Sequence, residues 1–409
     1  MEVTNLNHSS GKSVLWYNFV KILYSGHERV EVPIGFLMLL SAILLARILS
    51  WIWNKDLRKT AIFLLIFICL TPHFTYFIGT LYPDGIYSVA ATALLFEIWL
   101  IARYREINKL SILIIFITFP FAVFMRANGL VFTIPLVWLV YILWADSRKS
   151  AIWISAIILG WFAMHGIAKR IHPNQAQGAM YPLAIYETVN FLRHRPMNLW
   201  VASPRVSEKT IKTLEKYNQL SVYQEHFDPD YWDPLVFRQE GPKVMSLSDK
   251  DKTLIIKEFF RYNIWRNIPS FIGSRFNIFL SASFAQGGLP SHTYSQYIIP
   301  EINSKSVYRS FHLDKLEAIF FDIYNKSYKA RWLFWTPFLG LILVFAGLIR
   351  GTSTRNIPLL LVAFPMFIQF AGIFLFSTAA EYRYILPFFT IPLVLLPALQ
   401  LEQRGAIKV

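Results

Sequence analysis

Nine apolar stretches, at 32–53, 60–80, 86–102, 110–125, 129–145, 150–168, 332–349, 357–377 and 384–400, constrain this chain more than any other feature. A bilayer core of ~30 Å is crossed by roughly 20 helical residues, so each stretch reads as a membrane span. Backbone groups in lipid must pair internally, which favours helices. Some stretches are short or interrupted by Pro. The expected fold is all-α: a polytopic helical membrane protein of about nine spans, with a large external, mainly helical loop domain between spans six and seven.

Composition agrees, with 55% hydrophobic and 17% aromatic residues, which excludes an ordinary soluble protein. The net charge of +15 would point to nucleic acid in a soluble domain. Here the basic residues flank spans, where the positive-inside rule accounts for them, so nucleic acid is not an expected partner. Cys69 is the only cysteine, which leaves no disulfide framework or Cys-based metal site within one chain. No compact apolar core followed by small residues opens the chain as a cleavable signal would.

The short loops alternate in charge. Asn54-Lys55-Asp56-Leu57-Arg58-Lys59, Arg103-Tyr104-Arg105-Glu106, Asp146-Ser147-Arg148-Lys149 and 350–355 are basic and follow spans one, three, five and seven. They are expected on the cytoplasmic side. The loops at 81–85, 126–128 and 377–383 then face outward, as does the long hydrophilic segment 169–331. Long segments translocate largely regardless of charge. Three regions follow: a membrane region at 1–168, an external domain at 169–331, and a membrane region at 332–409. Val14 to Tyr24 reads as an amphipathic interfacial helix. Within 169–331, helices are expected near 207–217, 252–265 and 270–284, between frequent prolines.

Charges at span ends are costly near lipid and often functional. Asp84 lies in Tyr82-Pro83-Asp84-Gly85, which is also a good turn sequence for local backbone reasons. As a site residue it would bind a metal or take a proton from an acceptor hydroxyl. Arg126 and Asn128, in Met125-Arg126-Ala127-Asn128-Gly129, either anchor and cap helices or hold a lipid-linked phosphate, for which a guanidinium fork is suited. Glu381-Tyr382-Arg383-Tyr384 opens the last span. Its charges are either an intrahelical pair of little energetic worth or part of a substrate site. Arg193, His194, Arg195, Lys169, Arg170 and Arg205 are further external cations, read by default as solvated surface. His165, His172, His292 and His312 lack metal-ligand spacing, so no metal site is assigned and the cofactor is unknown. Gly-rich phosphate loops, nucleophile elbows and zinc-protease helices are absent.

The Tyr82-Pro83-Asp84 hairpin, Arg126-Ala127-Asn128-Gly129, and Glu381-Tyr382-Arg383-Tyr384 before a Pro-rich last span resemble the GT-C class. These are multi-span glycosyltransferases that use polyprenyl-phosphate sugars. The resemblance implies transfer of a hexosyl or pentosyl group to a glycan, lipid or protein acceptor. Its expected setting is the periplasmic face of a bacterial inner membrane, in surface-polysaccharide synthesis. Asp84 and Glu381 would be catalytic, with Asp84 the base and Glu381 orienting Arg383 or binding sugar. Arg126, Asn128, Tyr382 and Arg383 would bind lipid phosphate or sugar. Members of the class usually begin with a transmembrane helix and an external loop bearing an essential acid. Glu2, Glu28 and Glu31 make no convincing replacement, so the resemblance implies a chain shortened at its start, with activity affected more than fold.

Other readings of the same charges are a transporter or flippase of a lipid-linked glycan, an O-antigen polymerase or ligase, and a noncatalytic scaffold. Glu97, inside span three, is the residue that favours ion-coupled transport.

Overall fold

The computed structural model describes residues 13–171, 180–193, 206–286, 296, 299–300 and 304–406. The chain is an all-α polytopic membrane protein. Among the described residues there is no β-strand, only an isolated bridge between Tyr231 and Ala379. Among the described residues seven helices are long and apolar enough to cross a bilayer: Glu31–Asn54, Pro83–Tyr104, Ala127–Asp146, Arg148–Ile171, Arg331–Ser353, Ile357–Phe376 and Leu386–Arg404. The stretch at 60–80 forms a pair, Arg58–Cys69 and Pro72–Ile78, bent by 67°. Pro72 opens the second arm, and a π-turn at Leu65–Cys69 ends the first. The stretch at 110–125 is a shorter helix, Lys109–Phe124. Its start is capped by Asn108, whose Oδ1 accepts from the Ser111 amide at 2.7 Å.

Two compact units divide the chain. The first comprises Met1–Ala176, Leu289–Phe370 and Arg383–Val409; the second comprises Gln177–Gly288 and Ala371–Tyr382. The hydrophilic stretch 169–331 is therefore shared: 177–288 belongs to the second unit, and 289–331 to the first. Residues 371–382, which hydropathy assigns to the end of a span, join the second unit.

Within the first unit, Pro83–Tyr104 is the central helix, with its apolar window wholly buried. Its sequence explains this position. Gly85, Ser88, Ala90, Ala91, Thr92 and Ala93 are small, so neighbouring backbones approach closely. Glu31–Asn54, Lys109–Phe124, Leu386–Thr390 and Pro72–Ile78 pack around it. Polar side chains tie these helices in pairs. Thr390 Oγ1 lies 2.8 Å from both Ser88 Oγ and Thr92 Oγ. Buried Glu97 accepts from Arg47 Nε at 3.2 Å and from Ser111 Oγ at 2.6 Å. Arg103 pairs with Glu402, and Arg105 with Asp146 at 2.7 Å. Val14–Ser25 is helical as the pattern predicts, burying Val14, Trp16, Tyr17 and Val20 and setting Phe19 edge-on to Phe121.

The second unit is built from Met180–Arg193, short helices between residues 208 and 266, and Ile268–Ser283. Ser207 and Ser248 cap their helices, accepting from the amides of Thr210 and Asp251. Its core holds the ion pair of Glu187 and Arg275, both fully buried. Arg275 also donates to the carbonyls of Leu375 and Ser377. Ser274 and Asn190 complete the shell of Glu187, at 2.7 and 3.1 Å. This explains how Arg275 is accommodated in a buried position: every buried charge needs partners. Ala380 N–H donates to the Asp230 carbonyl and Trp232 N–H to that of Thr378, which fixes the segment 378–380 in this unit.

Candidate functional site

Three loops of the first unit converge on one group of charged and aromatic side chains. Pro83 opens its helix at the position where a missing N–H is harmless, and Asp84 follows in the first turn. A carboxylate there is favoured by the unpaired amides of the helix start. Gly85 is required next. A β-carbon at Gly85 would fall 2.4 Å from the carbonyl oxygen of Phe77, because the bent pair's second arm lies directly against it.

Arg126 sits between helix Lys109–Phe124 and the 3-10 turn Ala127–Phe132, in extended conformation with φ −134° and ψ 148°. Gly129 allows the turn to fold back, since a β-carbon there would lie 2.4 Å from the Ala122 carbonyl oxygen. The Arg126 guanidinium pairs through Nη2 with Asp84 Oδ1. Asp84 is 1% exposed and Arg126 20%, so the pair has a dry end and a wet end. Asp84 Oδ2 and Arg126 Nε are buried with no hydrogen-bond partner among the described residues.

Arg383 comes from the third loop, in the 3-10 turn Tyr382–Tyr384. Its guanidinium carbon lies 5.2 Å from the ring centroid of Tyr82 and 5.4 Å from that of Tyr384. The Arg126 guanidinium lies 4.7 Å from the same Tyr384 centroid. One aromatic ring thus contacts two cations, one of them paired with Asp84. The ring quadrupoles of Tyr82 and Tyr384 attract both guanidinium groups.

Asp84, Arg126 and Arg383 are therefore brought together. Asn128 is half-buried in the turn after Arg126. It does not cap the next helix, whose cap position is Phe132 with no side-chain bond. Glu381 and Tyr382 fall in the second unit, on the other side of the division from Arg383. Glu381 lies near Tyr231 there. Burial, and then the charges of Glu381, Asp230, Asp228 and Asp233, push the Tyr231 phenol up to about 12. Lys169 and Arg170 are exposed at a helix end, and Arg193 stacks over Phe227 at 4.6 Å. His172, His194, Arg195, Arg205 and His292 lie outside the described residues. Among the described residues no three His, Cys, Asp or Glu side chains converge as metal ligands.

Sequence reasoning missed four participants. Tyr82 and Tyr384 flank the charged residues it noted and read as ordinary interfacial aromatics. Tyr87 and Gln369 lie deeper: Gln369 Nε2 donates to Tyr87 Oη at 2.7 Å, and Gln369 is fully buried. The signal for Gln369 was available, since it is the single polar side chain of the 20-residue helix Ile357–Phe376. Comparison of the chain with protein-family models, with curated proteins and with solved structures finds no match.

Proposed function

We propose that this chain is a membrane glycosyltransferase that moves a sugar from a polyprenyl-phosphate carrier to a glycan, lipid or protein acceptor. The observation that carries the reading is the shared stacking of Arg126 and Arg383 on Tyr384, beside Asp84. Two guanidinium groups set on one ring beside a carboxylate suit a phosphate, whose charge they would stabilise as it departs.

In this reading the acceptor hydroxyl attacks the anomeric carbon, and the bond from that carbon to the phosphate oxygen breaks. Polyprenyl phosphate leaves with the electron pair, a glycosidic bond forms, and the hydroxyl proton passes to Asp84. The unpartnered Oδ2 of Asp84 supports that role. Because a lipid phosphate is already a good leaving group, no separate general acid is needed.

The proposed topology has nine crossings, counting the bent pair as one and including helix Lys109–Phe124. Its 16 residues rise about 24 Å, close to the thickness of a bilayer core. Nine crossings put the loops at Asp84, Arg126 and Arg383 on one side, in keeping with their clustering. The basic loops then mark the cytoplasm, and the site faces the periplasm of a bacterial inner membrane. Residues 177–288 would form the main external domain.

The test is transfer of radiolabelled sugar from polyprenyl carriers in membranes containing the full chain. Native protein transfers label; Arg126→Ala and Arg383→Ala lose it by about a hundredfold or more. Unchanged transfer by Arg383→Ala removes the proposal. Glu97, the residue that favours ion-coupled transport, has both oxygens engaged by Arg47 and Ser111.

A further inference from the structure

We infer that Gln369 and Tyr87, with the free oxygen of Asp84, form the wall that reads the hydroxyl groups of the donor's sugar. The inference rests on the glycosyltransferase reading and adds specificity residues to it. Tyr87 follows Asp84 by one helical turn, so both project from one face of Pro83–Tyr104. Gln369 reaches Tyr87 from helix Ile357–Phe376. The chain of contacts therefore runs inward from Tyr384 through Arg126 and Asp84, with Tyr87 and Gln369 one turn deeper.

Two buried polar atoms in this group are unsatisfied among the described residues: Asp84 Oδ2 and Gln369 Oε1. Turning the amide over does not remove the second, because one end would still bond Tyr87 and the other would remain without a partner. An amide end left unpaired inside an apolar helix bundle is costly to keep. A ligand or water that satisfies both ends relieves that cost.

The chemistry narrows the ligand. A carboxylate only accepts, an amide offers a donor and an acceptor, and a phenol does both. A hydroxyl also donates and accepts, and neighbouring hydroxyls match such a mixed row. Anions are repelled by Asp84, and a metal cation would waste the amide's donor end. With the phosphate held by Arg126 and Arg383, the hydroxyls within reach are those of the sugar joined to it.

The experiment uses the full chain in nanodiscs, titrated with bare undecaprenyl phosphate and with its glucosyl, galactosyl, mannosyl and arabinosyl forms. At least one sugar form is expected to bind about tenfold more tightly than the bare lipid. Gln369→Met and Tyr87→Phe are expected to abolish that excess while leaving bare-lipid affinity within about twofold. Tyr87→Phe keeps the ring packing, so it remains informative if the Gln369 variant does not fold. An excess that both variants retain, or no sugar form above the bare lipid, overturns the inference and assigns the amide's free end to a trapped water. Bare-lipid binding that is indifferent to Arg126→Ala and Arg383→Ala overturns the glycosyltransferase reading instead.

Discussion

Arg126 and Arg383 lie far apart in sequence, yet their guanidinium carbons sit 4.7 and 5.4 Å from the centroid of the same ring, that of Tyr384. Two like charges gather this way only where something holds them. Asp84 neutralises part of the charge, and the ring faces of Tyr82 and Tyr384 hold the rest in place. In the proposed reaction this arrangement would receive the donor's phosphate.

The first prediction concerns the shared ring. Tyr384→Leu removes the surface on which both cations lie, at about 0.5–2 kcal/mol for each contact. The donor KM is expected to rise about tenfold or more, with a smaller change in kcat, because alignment of the phosphate is lost. Tyr384→Phe keeps the face and should retain near-native KM. Steady-state transfer with varied donor checks both, and equal behaviour of the two variants would remove the ring from the site.

The second concerns Asp84. Asp84→Asn keeps the shape and removes the proton acceptor, so kcat should fall by about a hundredfold to ten-thousandfold. Arg126 keeps some solvent access, so its loss of a charged partner costs less than a fully buried pair would. A modest loss of thermal stability in detergent, with transfer nearly gone, is the expected combination. Full transfer by Asp84→Asn would show that another group takes the proton.

The apolar helices were legible in the sequence because lipid imposes a length and a composition: all nine apolar stretches are helical, and seven of those helices are long and apolar enough to cross a bilayer. The convergence of Asp84, Arg126 and Arg383 was legible too, since loop charge alone put their loops on one side. Non-local pairing was not. Glu187 and Arg275 are 88 residues apart, and nothing near either one announces the other. Hydropathy also hid the division after Tyr382. A span-ending window averages over 371–382, whereas Ala379 and Ala380 pair with residues near Tyr231. Gln369 escaped notice for a related reason, because one amide barely lowers the mean of an apolar helix.

The third prediction concerns Gly85. An alanine there would place its β-carbon 2.4 Å from the Phe77 carbonyl oxygen. Backbone, not a flexible side-chain tip, is in the way. Gly85→Ala should cost about 1–3 kcal/mol and displace Asp84 from Arg126. Lower thermal stability together with reduced transfer is expected; Gly160→Ala, where open space surrounds the glycine, serves as the control.

The fourth concerns the buried pair of the second unit. Removing one member leaves the other charged in a dry core, so Arg275→Met or Glu187→Leu should each cost about 3–5 kcal/mol. The double variant should recover part of the loss, because it leaves no lone charge. Full recovery is not expected, as the Leu375 and Ser377 carbonyls also lose their donor. A double-variant cycle read by chemical denaturation tests this; losses that simply add would mean the two groups do not act as a pair.

The fifth follows from Tyr231. Its folded-state phenol is pushed up to about 12, first by burial and then by Glu381, Asp230, Asp228 and Asp233. An unfolded tyrosine titrates near ~10. The folded state therefore holds the proton more tightly, and the unfolded chain releases it first as pH rises. The stability tied to this proton is intact below pH ~10 and is lost progressively as pH climbs towards about 12. Tyr231→Phe should flatten that part of the stability profile. Glu381→Gln removes one of the charges opposing ionisation and should lower the Tyr231 pKa towards its ordinary value. Tyrosinate absorbance of the native chain minus that of Tyr231→Phe, taken with and without Glu381→Gln, reads the shift directly. An unchanged difference curve would place Glu381 too far from Tyr231 to act on it, leaving burial and the three aspartates as the cause of the shift.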